Sequence, residues 1–142
     1  MSEVTNAELI AKAKSVINSQ RIGDYVVGDV GAALLTDQGN VYLGVCIDSG
    51  SGIGFCAEHS AIAAMVTAGE FRIVKIVAVW QDADDTYVLS PCGRCREFIR
   101  QIHKDNLETE VILDVDKVLT LAELLPYHDW FHKTPAGAAL GA

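Results

Sequence analysis

The chain has 142 residues, of which 50% are hydrophobic, 21% charged and only 3 proline, so it fits one compact body and excludes a disordered or multi-module protein. Lys and Arg number 11 against 19 Asp and Glu, a formal charge of −8. That balance argues against a duplex-binding protein working by counterion release, so no nucleic-acid polymer is expected and a small molecule is the default partner.

Met1 to Ser19 carries polar residues throughout, without the apolar core or cleavage site of a signal peptide, and no run reaches membrane-spanning length. No membrane association is expected. With four cysteines and no export signal, the expected compartment is the reducing cytoplasm, where clustered thiols serve metal or redox chemistry more often than structural bridges.

Leu9, Ile10, Ala13, Val16 and Ile17 recur at helical spacing and predict an amphipathic first helix over Ala7 to Val16. Gly31 to Thr36 and Val41 to Asp48 flank Asp37-Gln38-Gly39-Asn40, a hairpin signal. A glycine-rich segment, Ser49 to Gly54, precedes a helical pattern from Ala57 to Ala68 that Gly69 ends. Ile73 to Trp80 predicts a buried strand, Gln81 to Thr86 a polar turn, and Tyr87 to Leu89 resumes an apolar run. Ser90 and Pro91 predict the cap and first turn of a helix reaching about His103. Glu110 to Asp114 predicts another strand, and Thr120 with Glu123 a capping box before a short helix ended by Pro126. The expected fold is a three-layer α/β/α sandwich with a mixed sheet of about five strands. One domain over 1–133 is expected, with a flexible tail over 134–142.

Two local motifs carry the chemistry: Cys56-Ala57-Glu58 at one helix start, and Pro91-Cys92-Gly93-Arg94-Cys95 at another. Residues three apart on a helix nearly share a face, so Cys92 and Cys95 can turn toward one ion. Residues two apart diverge, which places Cys56 in the turn before its helix, where non-helical dihedrals let its sulfur and the Glu58 carboxylate converge. Helix N-termini favour anionic sulfur and are expected to lower these thiol pKa values. Three thiolates leave the fourth tetrahedral position of a zinc ion for water, the open arrangement of a catalytic site, with Glu58 as acid and base beside it.

On these residues the sequence resembles the cytidine deaminase family, whose signature is His or Cys, any residue, Glu, then Pro-Cys, two residues and Cys. The resemblance runs from about Val30 to Leu125, and the short three-cysteine form is similar to the homotetrameric free-nucleoside branch and its blasticidin S deaminase relatives. It implies a zinc-dependent deaminase acting on cytidine or deoxycytidine, with blasticidin S or another aminopyrimidine as the alternative, and a homotetramer. It also implies that Cys56, Cys92 and Cys95 hold one Zn2+ per subunit. Glu58 would pass a proton from zinc-bound water to ring N3, hydroxide would add at C4, and the same carboxyl would protonate the departing amino group as ammonia. The Ala57 N–H would bind the pyrimidine carbonyl, and the Ser90 carbonyl would accept from the amino group being lost.

The departures fall on substrate contacts. Gly28 stands where the family usually has Phe, and Cys46 and Asp48 stand where an Asn and a Glu read the ribose. Asp48 can still accept from a hydroxyl; Cys46 cannot replace a carboxamide. His59 replaces an Arg that often follows the catalytic Glu and damps the negative site, leaving Arg96 to carry that load. The aromatic expected over the base is shifted, and Trp130 is the candidate to stack on the heterocycle, in its own or a neighbouring subunit's site.

Taken alone, Cys92 and Cys95 also fit a thiol redox motif or half of a structural zinc site, and Cys46 offers a fourth ligand for a closed site. His59, His103, His128 and His132 show no ligand spacing and receive no chemistry. Gly50, Gly52 and Gly54 lack the following Lys of a phosphate cradle and are read as a substrate-side loop, and Trp80 as core or pocket wall at a strand end.

Overall fold

The computed structural model describes residues 3–130. The expected tail over 134–142, and His132, lie outside the described residues. Helix α1, Asn6–Ser15, is opened by a capping box in which Glu8 N donates to Thr5 Oγ1 at 3.1 Å and Thr5 N to Glu8 Oε2 at 2.9 Å. Then come β1 (Gln20–Ile22), β2 (Tyr25–Val27), β3 (Val30–Thr36), β4 (Val41–Val45) and α2 (Ala57–Thr67). The second half holds β5 (Ile73–Asp82), β6 (Asp85–Leu89), α3 (Gly93–Ile102), a 3-10 turn (Lys104–Glu108), β7 (Glu110–Asp114), β8 (Lys117–Thr120) and α4 (Leu121–Leu124).

The main sheet has six strands, one more than expected, in the order β4-β3-β5-β7-β8, with β6 also on β5. Only β5 and β7 run parallel; every other pairing is antiparallel. On the edge of β5 opposite β3, Lys75 and Ile76 pair with β7, whereas Ala78 to Asp82 pair with β6. The two neighbours therefore share one edge, and the chain leaves β6 into Ser90-Pro91-Cys92 where they part.

Alternation of side chains sorts the sheet into two cores. Ala33, Val77, Val79 and Ile112 pack with Leu9 and Ala13 of α1. Their neighbours Ala32, Ile76, Ala78 and Val111 pack on the other face with Ala61, Ile62 and Met65 of α2 and Ile99 of α3. Helices thus cover both faces, as expected, and both phases of β3 and β5 are apolar.

Glycines bring the helices close. A Cβ at Gly31 would lie 2.1 Å from Ala13 O of α1, and one at Gly44 would lie 2.4 Å from Ala61 N of α2. Gly44→Ala is therefore expected to destabilise the fold by about 1–3 kcal/mol, read as a lower urea midpoint at unchanged m, because backbone must move to admit the methyl. The far end of α2 is tethered by Glu70, whose buried carboxylate accepts from Thr36 Oγ1 at 2.5 Å, from Asn40 Nδ2 at 2.9 Å and from the Tyr42 hydroxyl.

Several expectations are corrected. Gln81 to Thr86 is not a polar turn: it holds the end of β5 and the start of β6, with only Ala83 and Asp84 between the strands. Ser90 and Pro91 do not open α3, because Cys92 is its N-cap. The β1–β2 hairpin, the 3-10 turn and β8 carry no expectation above; for the hairpin, Gly23-Asp24, with Gly23 at φ +64°, is the signal in the sequence. Among the described residues, no helix is long and apolar enough to cross a membrane.

Candidate active site

Cys56 and Cys92 occupy equivalent positions. Each is an N-cap in extended conformation, at φ −72°, ψ 160° and φ −67°, ψ 167°, and neither side chain caps its helix. Their carbonyls begin the helices, accepting from His59 N and Arg96 N at 3.0 Å each. The sulfurs are left free to face each other at 3.5 Å, and Cys92 Sγ lies 3.4 Å from Cys95 Sγ. In a tetrahedral site with Zn–S bonds of about 2.3 Å, thiolates stand ~3.8 Å apart, within a few tenths of an ångström of this spacing.

The expectation that helix N-termini lower all three thiols is corrected. Burial, with the Cys92 thiol beside it, pushes Cys56 up to about 11. Burial and the neighbouring Glu58 charge also raise Cys95. Only Cys92 falls below its ordinary value, because the Cys95 backbone N–H and the two neighbouring thiols outweigh its own burial. Cys56 and Cys95 therefore hold their protons near neutral pH, and a divalent ion is the group that replaces them.

Glu58, in the first turn of α2, is 5% exposed, and burial raises its carboxyl above the ordinary range. A cavity of about 670 Å³ unites it with Cys56, Ala57, Ser90 and Cys92, and the expected substrate residue Asp48 lines the same space. Cys95 completes the sulfur cluster from a fully buried position. Ser49, Gly52 and Gly54 also line the cavity, which makes the glycine segment a wall of it.

Trp130 is not among the cavity residues; it is 72% exposed, with the Arg100 guanidinium 5.5 Å over its ring. Trp80 stacks on Tyr87 across β5 and β6, at 5.4 Å between centroids, and takes no part in the cavity either. Cys46 donates to Asp29 Oδ1 at 3.1 Å instead of joining the other sulfurs, so the closed four-sulfur alternative does not form. Arg96 donates to Pro91 O, Leu124 O and Ser90 Oγ at 2.8, 2.9 and 3.0 Å, and none of these bonds reaches a sulfur.

The reading that left His59 without chemistry is corrected. Its Nδ1 lies 3.5 Å from Cys95 Sγ, and the ligand atoms of Cys56, His59 and Cys95 all lie within 4.8 Å of one another. The signal was present: His59 follows Cys56 by three residues, the same interval that pairs Cys92 with Cys95. Tyr25, Asp29 and Arg94 also line the cavity without having been singled out. Arg94 is held there by donating from Nη1 to Gly54 O at 3.0 Å.

Residues 4–109 match the family model described as the cytidine and deoxycytidylate deaminase zinc-binding region. The chain belongs to this family. A cytidine deaminase of Sporosarcina psychrophila is 33% identical over 123 residues, covering 84% of this chain and 87% of that one. A blasticidin-S deaminase of Bacillus cereus is 35% identical over 106 residues, covering 68% and 74%. The crystal structure of a mutant cytidine deaminase from Mycobacterium tuberculosis superposes with a TM-score of 0.72 at 26% identity, over 88% of this chain and 98% of that one. This deaminase is accordingly a zinc-dependent hydrolase, and the thiol cluster fits the metal that its family region binds.

Proposed function

We propose that this deaminase converts cytidine or deoxycytidine to uridine or deoxyuridine with release of ammonia, using Cys56, Cys92 and Cys95 as zinc ligands and Glu58 as the proton carrier. The observation that carries the reading is one buried carboxyl, Glu58, sharing a cavity with a converging set of three sulfurs. A zinc ion held there supplies a Lewis acid that makes water a nucleophile near neutral pH.

The protein's own groups handle the rest. Glu58 takes one proton from the attacking water and delivers it to N3 of the pyrimidine, then takes the proton of the new C4 hydroxyl and delivers it to the departing nitrogen, which leaves as ammonia; burial, which raises this carboxyl, suits it to exchange protons nearer neutrality than a solvated one. The Ala57 N–H, in the first turn of α2, has no helical acceptor and donates to the ring carbonyl. The Ser90 carbonyl accepts from the amino group. Asp48 accepts from hydroxyls of the sugar.

Blasticidin S is the second reading, favoured by the wall residues. Cys46 is engaged with Asp29 and offers no amide, while Asp29 and Asp48 place two carboxylates on the cavity, which suits a substituent rich in donors as well as ribose. A panel of cytidine, deoxycytidine, cytosine and blasticidin S, followed by ultraviolet loss and ammonia release with Glu58→Ala as blank, tests both. Turnover of no member, or turnover in the blank at the native rate, ends the reading. A reversible disulfide without bound metal would point instead to a thiol redox protein.

The assembly is proposed to be a homotetramer of single-domain subunits spanning 1–133, working in the cytoplasm, where its four free cysteines stay reduced. In such an assembly Trp130 closes over a neighbouring subunit's substrate, a role supported by its exposed ring and its absence from the lining of its own cavity. Trp130→Ala is expected to raise KM about tenfold with kcat little changed, a loss of the size of one aromatic stacking contact. A monomeric mass in light scattering, or an unchanged KM, would remove this assignment.

A further inference from the structure

We propose that His59 is a positioning residue of the metal centre, donating its Nδ1–H to the Cys95 sulfur without itself ligating the ion. The proposal rests on the zinc reading given above. Its geometry comes from three sides. Nδ1 stands 3.5 Å from Cys95 Sγ, within hydrogen-bond distance for sulfur. The ring lies parallel to Phe98, at 4.5 Å and 10°, and to Phe55, at 6.3 Å and 14°, so the imidazole is held in plane. Cys95 itself is fully buried, and a desolvated thiolate needs a donor.

Direction follows from chemistry. A thiolate holding zinc has no proton to give, so the N–H of this contact belongs to the ring, and the Nδ1–H tautomer is the one that satisfies it. Ligation by Nδ1 is the competing arrangement, since Cys56, His59 and Cys95 form a group able to hold an ion. Added to the three sulfurs, however, a ring nitrogen would fill the fourth corner and close the site, and a hydrolytic centre needs that corner for water. Among the described residues no other side chain serves this sulfur in that way: Arg96 is tied to Pro91, Leu124 and Ser90, and Arg94 to Gly54. His59 thus fixes the rotamer of Cys95 and draws charge from it, the work of an outer-sphere partner.

Two substitutions separate donor from stack. His59→Phe keeps a flat ring between Phe55 and Phe98 but has no N–H; His59→Asn places an amide N–H near the position of Nδ1 but loses the stack. Zinc affinity is read by competition with a chromophoric chelator. It is expected to fall about 10–100-fold in His59→Phe and to stay close to wild type in His59→Asn. Cobalt-loaded His59→Phe should keep the charge-transfer intensity of three thiolates, with the band moved to lower energy as the sulfur loses its donor. X-ray absorption of the zinc-loaded wild type should show no outer-shell scattering from a bound imidazole, a readout that needs no variant to fold. Imidazole scattering in the wild type, or wild-type zinc affinity with an unmoved cobalt band in His59→Phe, overturns the proposal while leaving the deaminase reading intact. Wild-type protein that takes up no zinc overturns both.

Discussion

Glu58→Gln is expected to lower kcat by about 10²–10⁴-fold while leaving zinc content and melting temperature close to those of the parent. Glutamine has the shape of the carboxyl and keeps its place in the first turn of α2, so packing around a residue only 5% exposed is preserved. What it loses is the ionisable acid group. Burial raises the Glu58 carboxyl, moving its proton affinity toward the pH at which the enzyme works, and an amide at the same position neither accepts a proton from water nor delivers one to N3. KM should change little, because the contacts proposed for the ring carbonyl and amino group come from backbone at Ala57 and Ser90. A steady-state comparison with metal analysis on the same samples checks this; a variant that retained kcat would move the proton traffic to another group.

Cys95→Ser has the second large effect. Cys95 is fully buried, and its sulfur, 3.4 Å from Cys92 Sγ, completes the set begun by Cys56 and Cys92. Loss of a proposed direct ligand should cost more than the roughly 10–100-fold typical of an outer-sphere change, so the variant should purify without stoichiometric zinc and without activity. In the parent, pH sets the affinity in a definite direction. Cys56, pushed up to about 11, and Cys95, raised by burial, both hold their protons at neutral pH and must release them to bind metal. Zinc therefore displaces two protons from these groups, and log affinity should rise by at least about two for each pH unit near neutrality. Competition titrations from about pH 6 to 8, and proton release in weakly buffered solution, measure both quantities. A pH-independent affinity would mean that the thiols are already ionised before metal arrives.

How legible all this was in the sequence varied with the physics. Core strands and their faces were readable because Ala32, Ala33, Leu34 and Ile76 to Val79 alternate between two apolar layers. The capping box of Thr120 and Glu123 forms as the spacing predicts, with Glu123 N donating to Thr120 Oγ1 at 3.3 Å. Cys56 was placed correctly before its helix because residues two apart diverge on a regular one. Ser90-Pro91 misled because it imitates a cap, while the true cap, Cys92, makes no capping bond and spends its side chain on the other sulfurs. β1 was hidden because Gln20, Arg21 and Ile22 are all exposed and leave no alternation to read. Trp130 illustrates a different limit: motif alignment proposes a stacking aromatic, but only the packing shows that the ring stands outside the cavity of its own subunit, with Arg100 5.5 Å over it.

The sulfur cluster joins two segments of chain that lie 36 residues apart. An ion seated there would work as a clasp between the two helix heads as well as a reagent, and because the folded site gathers the sulfurs that the unfolded chain scatters, its free concentration sets how tightly the enzyme is fastened. Starving a cell of zinc should thus thin out this deaminase by proteolysis as well as silence it, with the unloaded copies removed first.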